Sequence, residues 1–216
     1  LDPALIPTDT AVSTYALIRD ETAERKAAAF LLGDNLERTT QGGGIYTYTS
    51  QQGAAAFRDT GSFDAAGSLS QENAEAFCRD FRKAFSYDTP IFTLDETGSG
   101  TATAVRLWSG TPVFNAAVTF TIDQGRVLSA SGALLPETGA ETSSGQKPLS
   151  AFAALTAFQQ MRHASSSVVS SITEVSLCYE LQSTTAAPMA LVPSWRIVTD
   201  TATLYVNCIS GTVRRA

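Results

Sequence analysis

Four residues, Asp59-Thr60-Gly61-Ser62, spell the tetrapeptide that carries the catalytic carboxylate of aspartic proteases. That chemistry needs two carboxylates sharing one proton, so that one acts as acid and the other as base. The 216 residues hold no second Asp-Ser/Thr-Gly; Asp95-Glu96-Thr97-Gly98 breaks the spacing. Arg58 also stands where the proteases place an apolar residue. An enzyme of this kind would have to be a dimer built on Asp59. The same letters between Phe57 and Phe63 make an ordinary three-residue hairpin loop, with Gly61 free to adopt positive φ. The segment is read as a turn.

Other candidate chemistry fails on spacing. Ser144-Gly145-Gln146-Lys147 matches Ser-x-x-Lys, which needs a helix start to set the lysine one turn above the serine. Pro148 follows, and the next helix is expected only after Ser150, so a solvated linker is the better reading. His163 follows Arg162 at the end of that helix, a capping position for cations, and no Gly-x-Ser-x-Gly elbow offers it a nucleophile. Gly98-Ser99-Gly100 lacks the third glycine of a dinucleotide loop and reads as a hairpin tip. Cys78 falls on the apolar stripe of a predicted helix. Cys178 alternates with Ser176 and Glu180, away from Val175, Leu177, Tyr179 and Leu181, whereas Cys208 shares a face with Leu204 and Val206. Opposite faces argue against a Cys178–Cys208 bridge. Three free thiols are expected, two of them buried. One histidine and no Cys-x-x-Cys leave no zinc-ligand spacing. No catalytic, cofactor-binding or metal-binding residue is assigned.

These residues must sit on a scaffold, and the composition permits a packed one. Hydrophobic residues make up 44% and charged residues 17%, with a net charge of −6. An acidic chain without Lys/Arg runs lacks the electrostatic footprint for phosphate backbones, which excludes nucleic acid as a partner. No apolar run is long enough to span a bilayer. The start at Leu1 and the loose residues 1–18 suggest a leader behind an anchor not in this chain. Abundant Ser and Thr, with lysine only at positions 26, 83 and 147, fit an extracytoplasmic location.

The pattern of elements repeats. Helical spacing is expected in 71–85 and again in 151–164, each after Leu-Ser, at a constant offset of 80: Ser70 with Ser150, Ala74 with Ala154, Phe81 with Met161, Arg82 with Arg162. Ser70 and Ser150 are the expected N-caps, with Glu72 in the first opening turn. Ala74, Phe77, Cys78, Phe81 and Phe85 mark the buried side of the first helix. Four β-rich segments follow each helix. Both sets carry a proline two residues before an aromatic, Pro112 before Phe114 and Pro193 before Trp195, expected on edge strands or where strands begin. Both close in a glycine hairpin, at Gly125 and Gly211. A weaker third copy opens the chain: a helix through Ala23, Ala27, Phe30, Leu31 and Asp34, then three short strands within 44–63. The expected fold class is α+β: repeated units of one helix followed by an antiparallel β-meander, helices packed on sheets. The units are 19–67, 68–136 and 149–216, with a linker at 137–148. Tyr46, Tyr48, Trp108, Phe114 and Trp195 are expected mostly in the core, and any that are exposed would be partner anchors.

The motifs Gly110-x-Pro112-Val113-Phe114-Asn115, Pro193-x-Trp195-Arg196 and Tyr205-Val206-Asn207-x-x-x-Gly211 resemble YycI of the YycH/YycI family, the extracytoplasmic regulators of the YycG/WalK sensor kinase of Gram-positive bacteria. The last two also resemble the PepSY module. The likeness covers about residues 69–216 and is weak before them. It implies a non-enzymatic, membrane-anchored ectodomain of a two-component system, without cofactors. Its partners would be the membrane sensor kinase and a YycH-like sister regulator. Contact is expected through sheet faces or edge strands beginning near Pro112 and Pro193. A PepSY-like reading without YycI implies instead a protease-inhibitory or ligand-sensing wall-side domain.

Overall fold

The computed structural model describes residues 6–7, 12–70, 73–142, 147–165, 169–183 and 187–216. Among them the chain forms fourteen strands and three helices. In order these are β1 (Thr14–Leu17), α1 (Glu21–Leu32), β2 (Glu37–Thr40), β3 (Tyr46–Ser50), β4 (Gly53–Phe57), β5 (Ser62–Gly67), α2 (Ala74–Ala84), β6 (Ile91–Leu94), β7 (Gly100–Trp108), β8 (Thr111–Asp123), β9 (Arg126–Ala133), β10 (Ala140–Thr142), α3 (Ala151–Ser165), β11 (Ile172–Gln182), β12 (Met189–Thr199), β13 (Thr203–Asn207) and β14 (Val213–Arg215). The class is α+β, dominated by sheet.

Each helix begins and ends for local reasons. Asp20 caps α1, its carboxylate accepting from the amides of Thr22 and Ala23. Gly33, at φ 81°, stops the helix, so Asp34 lies beyond it rather than on its stripe. The α2 cap is Asn73, whose side chain accepts from the Ala76 amide at 3.0 Å. Ser70 was expected there, but it lies three residues too early and its amide is held by the Val127 carbonyl. Glu72 lies outside the described residues. Ser150 does cap α3, accepting from the Ala153 amide at 3.2 Å.

Eight strands form one antiparallel sheet in the order β2-β3-β4-β5-β9-β8-β7-β6. Its first four strands follow α1 and its last four follow α2; β5 and β9 join them. Both helices cover the same face. Phe30 of α1 meets Phe77 and Phe81 of α2 edge-on, and Phe81 reaches Phe63 and Phe120 of the sheet. Four strands follow α1 where three were expected. Glu37–Thr40, fully exposed and charged, has no buried face to betray it in the sequence.

The remaining six strands form a second sheet under α3. There β11, β12, β13 and β14 pair consecutively, and Trp195, Ile197, Leu204 and Val206 pack with Ala154, Leu155 and Phe158 of the helix. Strand β12 has two collinear neighbours on its far side: β1 along Met189–Leu191 and β13 along Ser194–Val198. Strand β10 extends β1. Residues 14–17 and 140–142, read as leader and linker, are therefore sheet strands. Their short, weakly apolar segments become strands by pairing with chain more than 120 residues away.

The sheets meet where β8 lies parallel to β11 at Val113 and Tyr179. The Asn115 side chain completes the seam, its amide nitrogen donating to the Leu181 carbonyl (2.8 Å) and its oxygen accepting from the Leu181 amide (2.7 Å). A third apolar cluster fills the junction, with Leu17, Trp108, Val113, Leu135, Tyr179, Met189 and Leu191. Neither β8 nor β12 is an edge strand, which corrects the expectation of contact through edge strands there; Pro112 does stand where its strand begins, as the second residue of β8, whereas Pro193 is interior to β12. A strand residue turns its N–H and C=O to the same side, and the Pro193 carbonyl accepts from Cys208 on the β13 side. The proline nitrogen thus faces the gap between β1 and β13, where no ladder bond is lost.

Candidate binding face

One face of the second sheet carries α3. On the other stand Ser176, Cys178 and Glu180 of β11, Ser194 and Arg196 of β12, Tyr205 and Asn207 of β13, and Arg214 of β14, aligned by the register. Phe114 of β8 joins them. Its ring stacks on Tyr205 at 3.7 Å and 10°. Three strand-to-strand steps separate these residues, about 14 Å on a flat sheet. Stacking is possible only because the sheet curls toward this face and the two rings arch over the strands between them.

The arch explains what lies beneath it. Cys178 and Ser194 are each 1% exposed and Glu180 is 3% exposed, although no helix covers them. All three cysteines are free and buried, one more buried than expected, because the alternation placed Cys178 on a polar face without showing that aromatic rings roof it. Burial pushes the Cys178 thiol well above its ordinary range. The Tyr205 phenol also rises, first through burial and then through Cys178, with Arg196 opposing.

The charges on this face are paired. Glu180 is held by Arg214 and accepts from Gln182 (2.9 Å) and Asn207 (3.4 Å). Glu174 accepts from Ser176 and Arg196, both at 2.7 Å; the serine bond first, with the arginine's bond and charge, holds its carboxyl below the usual range against the cost of burial. Asn207 turns the chain into the last hairpin by accepting from the Ile209 and Ser210 amides. The Ser194 hydroxyl is buried without a partner beside a cavity of about 50 Å³ lined also by Ser210 and Thr212. That space admits a water-sized group. The face offers ring edges, paired charges and hydrogen-bond donors, and its one thiol is held in its unreactive form.

The sequence motifs converge here. Phe114 and Tyr205 form the arch, Asn115 closes the seam, and Arg196 and Asn207 lie on the face, whereas Pro193 is out of phase with it. Trp195 points the other way, under α3, where its indole donates to the Leu149 carbonyl. Tyr48 and Trp108 are core; Tyr46 is half-buried between Arg19 and Arg38 at 3.9 and 4.6 Å.

The other candidates stand elsewhere. Asp59 is exposed in the β4–β5 turn, closed by the Gly61 amide on the Arg58 carbonyl. Glycine is strongly favoured: at φ 81° a side chain is strained, and a Cβ would fall 2.8 Å from the Met189 sulfur and 3.2 Å from the Leu134 carbonyl oxygen. This turn docks the first hairpin on the seam, since the Gly61 carbonyl also accepts from Leu134. His163 is exposed in the last turn of α3, Gly98 lies in the β6–β7 hairpin tip, and Gly100 opens β7 opposite Leu94. Ser144 lies outside the described residues. Among the described residues no cluster of His, Cys, Asp and Glu is arranged to hold a metal, and no helix is long and apolar enough to cross a membrane.

Besides Glu180, two buried charges were missed. Arg106, 1% exposed, donates to the carbonyls of Ser86 and Leu107 (both 2.7 Å) and Leu135 (3.1 Å), and to Glu137. Its signal was its phase: it alternates with Ala102, Ala104 and Trp108, all core. Glu24 lies likewise among Ala27, Ala28 and Leu31 and is paired with Arg19 at 2.7 Å.

No family model matches the sequence, and no curated protein matches it. Among solved structures, an uncharacterized protein from Eubacterium rectale is similar, with 12% identity and a TM-score of 0.53, over 95% of this chain and 86% of that one. The Bacillus megaterium YpeB C-terminal domain aligns over 93% of this chain and 98% of its own, with 14% identity and a TM-score of 0.43. The E. rectale protein carries the assignment of a shared α+β fold.

Proposed function

We propose that this chain is a non-enzymatic binding module that acts outside the cytoplasmic membrane and regulates a membrane sensor histidine kinase, with a YycH-like sister protein as second partner. The concave face under the Phe114–Tyr205 arch is its contact surface. The observation that carries the reading is convergence: motif residues spread from Phe114 to Asn207 meet on one face. Its charges are already paired, so partner groups meet a preorganised surface rather than unfilled catalytic positions. Regulation works by differential contact with two states of the kinase, which shifts their populations.

The same reading makes the three blocks copies of one PepSY-like unit. Each helix is followed by four strands paired in sequence order. At the offset of 80, Ala74 and Cys78 of α2 fall on Ala154 and Phe158 of α3, all buried. The helix starts differ by three residues at that offset.

The test is affinity capture from solubilised membranes with the wild-type protein and a Tyr205→Ala variant. The proposal expects a sensor histidine kinase with the wild type and much less with the variant. Recovery of an extracellular protease in its place would favour the inhibitory PepSY reading.

A further inference from the structure

Among the described residues the four terminal strands of the two sheets are not alike. Strand β2 carries Glu37 and Arg38, β10 carries Glu141, and β14 carries Arg214 and Arg215, charges of the kind that keep edges from pairing. Strand β6, Ile91-Phe92-Thr93-Leu94, pairs only with β7 and carries none. Its Ile91 is 74% exposed and its Leu94 39%.

The backbone of β6 is set to accept another strand. The Asp95 amide donates to the Ser99 carbonyl, so counting back by two, Thr93 and Ile91 also turn their amides to β7. Phe92 and Leu94 turn theirs outward. Next to Leu94, on the helix-covered side, is a cavity of about 410 Å³ lined by Ala74, Glu75, Leu94, Ile122 and Arg126. A strand added to β6 would direct alternate side chains toward it. Carboxylates bracket the edge: Asp88 before it, Asp95 and Glu96 after it, Asp123 across the hairpin tip. None of these four is in an ion pair.

We infer that β6 is a strand-addition site for an extended peptide segment of a partner, with alternating apolar side chains and basic residues at its ends. Main-chain hydrogen bonds to Phe92 and Leu94 supply affinity, the cavity selects an apolar side chain, and the bracketing carboxylates select the basic flanks. A second copy of this chain is a poor occupant, since the same carboxylates would face each other across a four-residue edge. The edge lies two strands from β8, toward the Ile122 end of that strand rather than its Phe114 end, and the inference stands independently of the function proposed for the concave face.

The probe is a fluorescein-labelled heptapeptide of alternating isoleucine and threonine between terminal lysines. Its controls carry terminal glutamates or N-methylated alternate amides. Fluorescence anisotropy is expected to show binding of the lysine probe and a loss of at least ~10-fold with either control, as removing favourable charge and strand hydrogen bonds requires. Amide shifts should centre on Phe92 and Leu94. Ile91→Lys, at an exposed position that leaves folding intact, should weaken the lysine probe by a similar factor. Absence of binding, equal binding of the lysine and glutamate probes, shifts centred on another edge, or self-association through β6 in light scattering would each overturn the inference.

Discussion

Replacing Phe114 by alanine removes one side of the arch. Phe114 is half-buried, so the change gives up about 100 Å² of apolar contact, ~2.5 kcal/mol at the usual transfer coefficient. The stacked pair adds ~1 kcal/mol, and relaxation of the curled sheet recovers part of the sum. The net expectation is a loss of ~2–3.5 kcal/mol, a fall in Tm of roughly 5–12 °C for a chain of this size. The sharper signature is chemical. With the roof gone, Cys178 becomes accessible and its thiol, now held up by burial, returns toward its ordinary range. Labelling with a thiol reagent under native conditions, read by peptide mass spectrometry, should mark Cys178 far faster in Phe114→Ala than in wild type. Cys78 and Cys208, buried in the two helix-covered cores, serve as internal controls. The reasoning is refuted if Cys178 labels no faster than they do, or if urea denaturation shows a loss below about 0.5 kcal/mol.

Three further outcomes are expected. Arg106→Met strips donors from three main-chain carbonyls in a buried site and should cost ~3–5 kcal/mol in urea unfolding, with Arg106→Lys a poor rescue because an ammonium cannot span the fork. Asp59→Asn, in an exposed turn, should change stability by less than ~0.5 kcal/mol and leave kinase capture intact; loss of a measured proteolytic activity in that variant would favour the dimeric protease. The Asp95 carboxyl accepts from the Thr97 hydroxyl and from the Ser99 and Thr97 amides, which hold it below its ordinary value of 3.8. Its stabilising contribution is therefore present above that ordinary value and lost as the pH falls through the lower, folded value. Carboxyl NMR should place its titration below the ordinary aspartate, and an ordinary or raised midpoint would contradict the hydrogen bonding described.

Where side-chain periodicity met a buried face, the sequence was readable. The stripe Ala74, Cys78 and Phe81 is the core of α2, the alternation of β11 sorted Cys178 from Val175, and the hairpins at Gly125 and Gly211 close with positive φ. What periodicity could not carry was pairing between distant segments. Thr14–Leu17 and Ala140–Thr142 are strands because each completes the other and β12, and nothing local announces it. Pro193 looked like an edge residue because a proline removes a donor; the gap between β1 and β13 makes an interior place free of that loss. Of the binding face, the motif residues were legible but the arch was not, since Phe114 and Tyr205 stand 91 positions apart and touch only through sheet curvature.

The most direct test of the contact surface is photo-crosslinking in cells. A benzophenone side chain at exposed Ser210, on the rim of the concave face, is compared with one at exposed Ala54, on the bare face of the first sheet. Crosslinks from Ser210 to a sensor kinase, lost with Tyr205→Ala, are the predicted result. Crosslinks to that kinase from Ala54 and none from Ser210 would contradict the account.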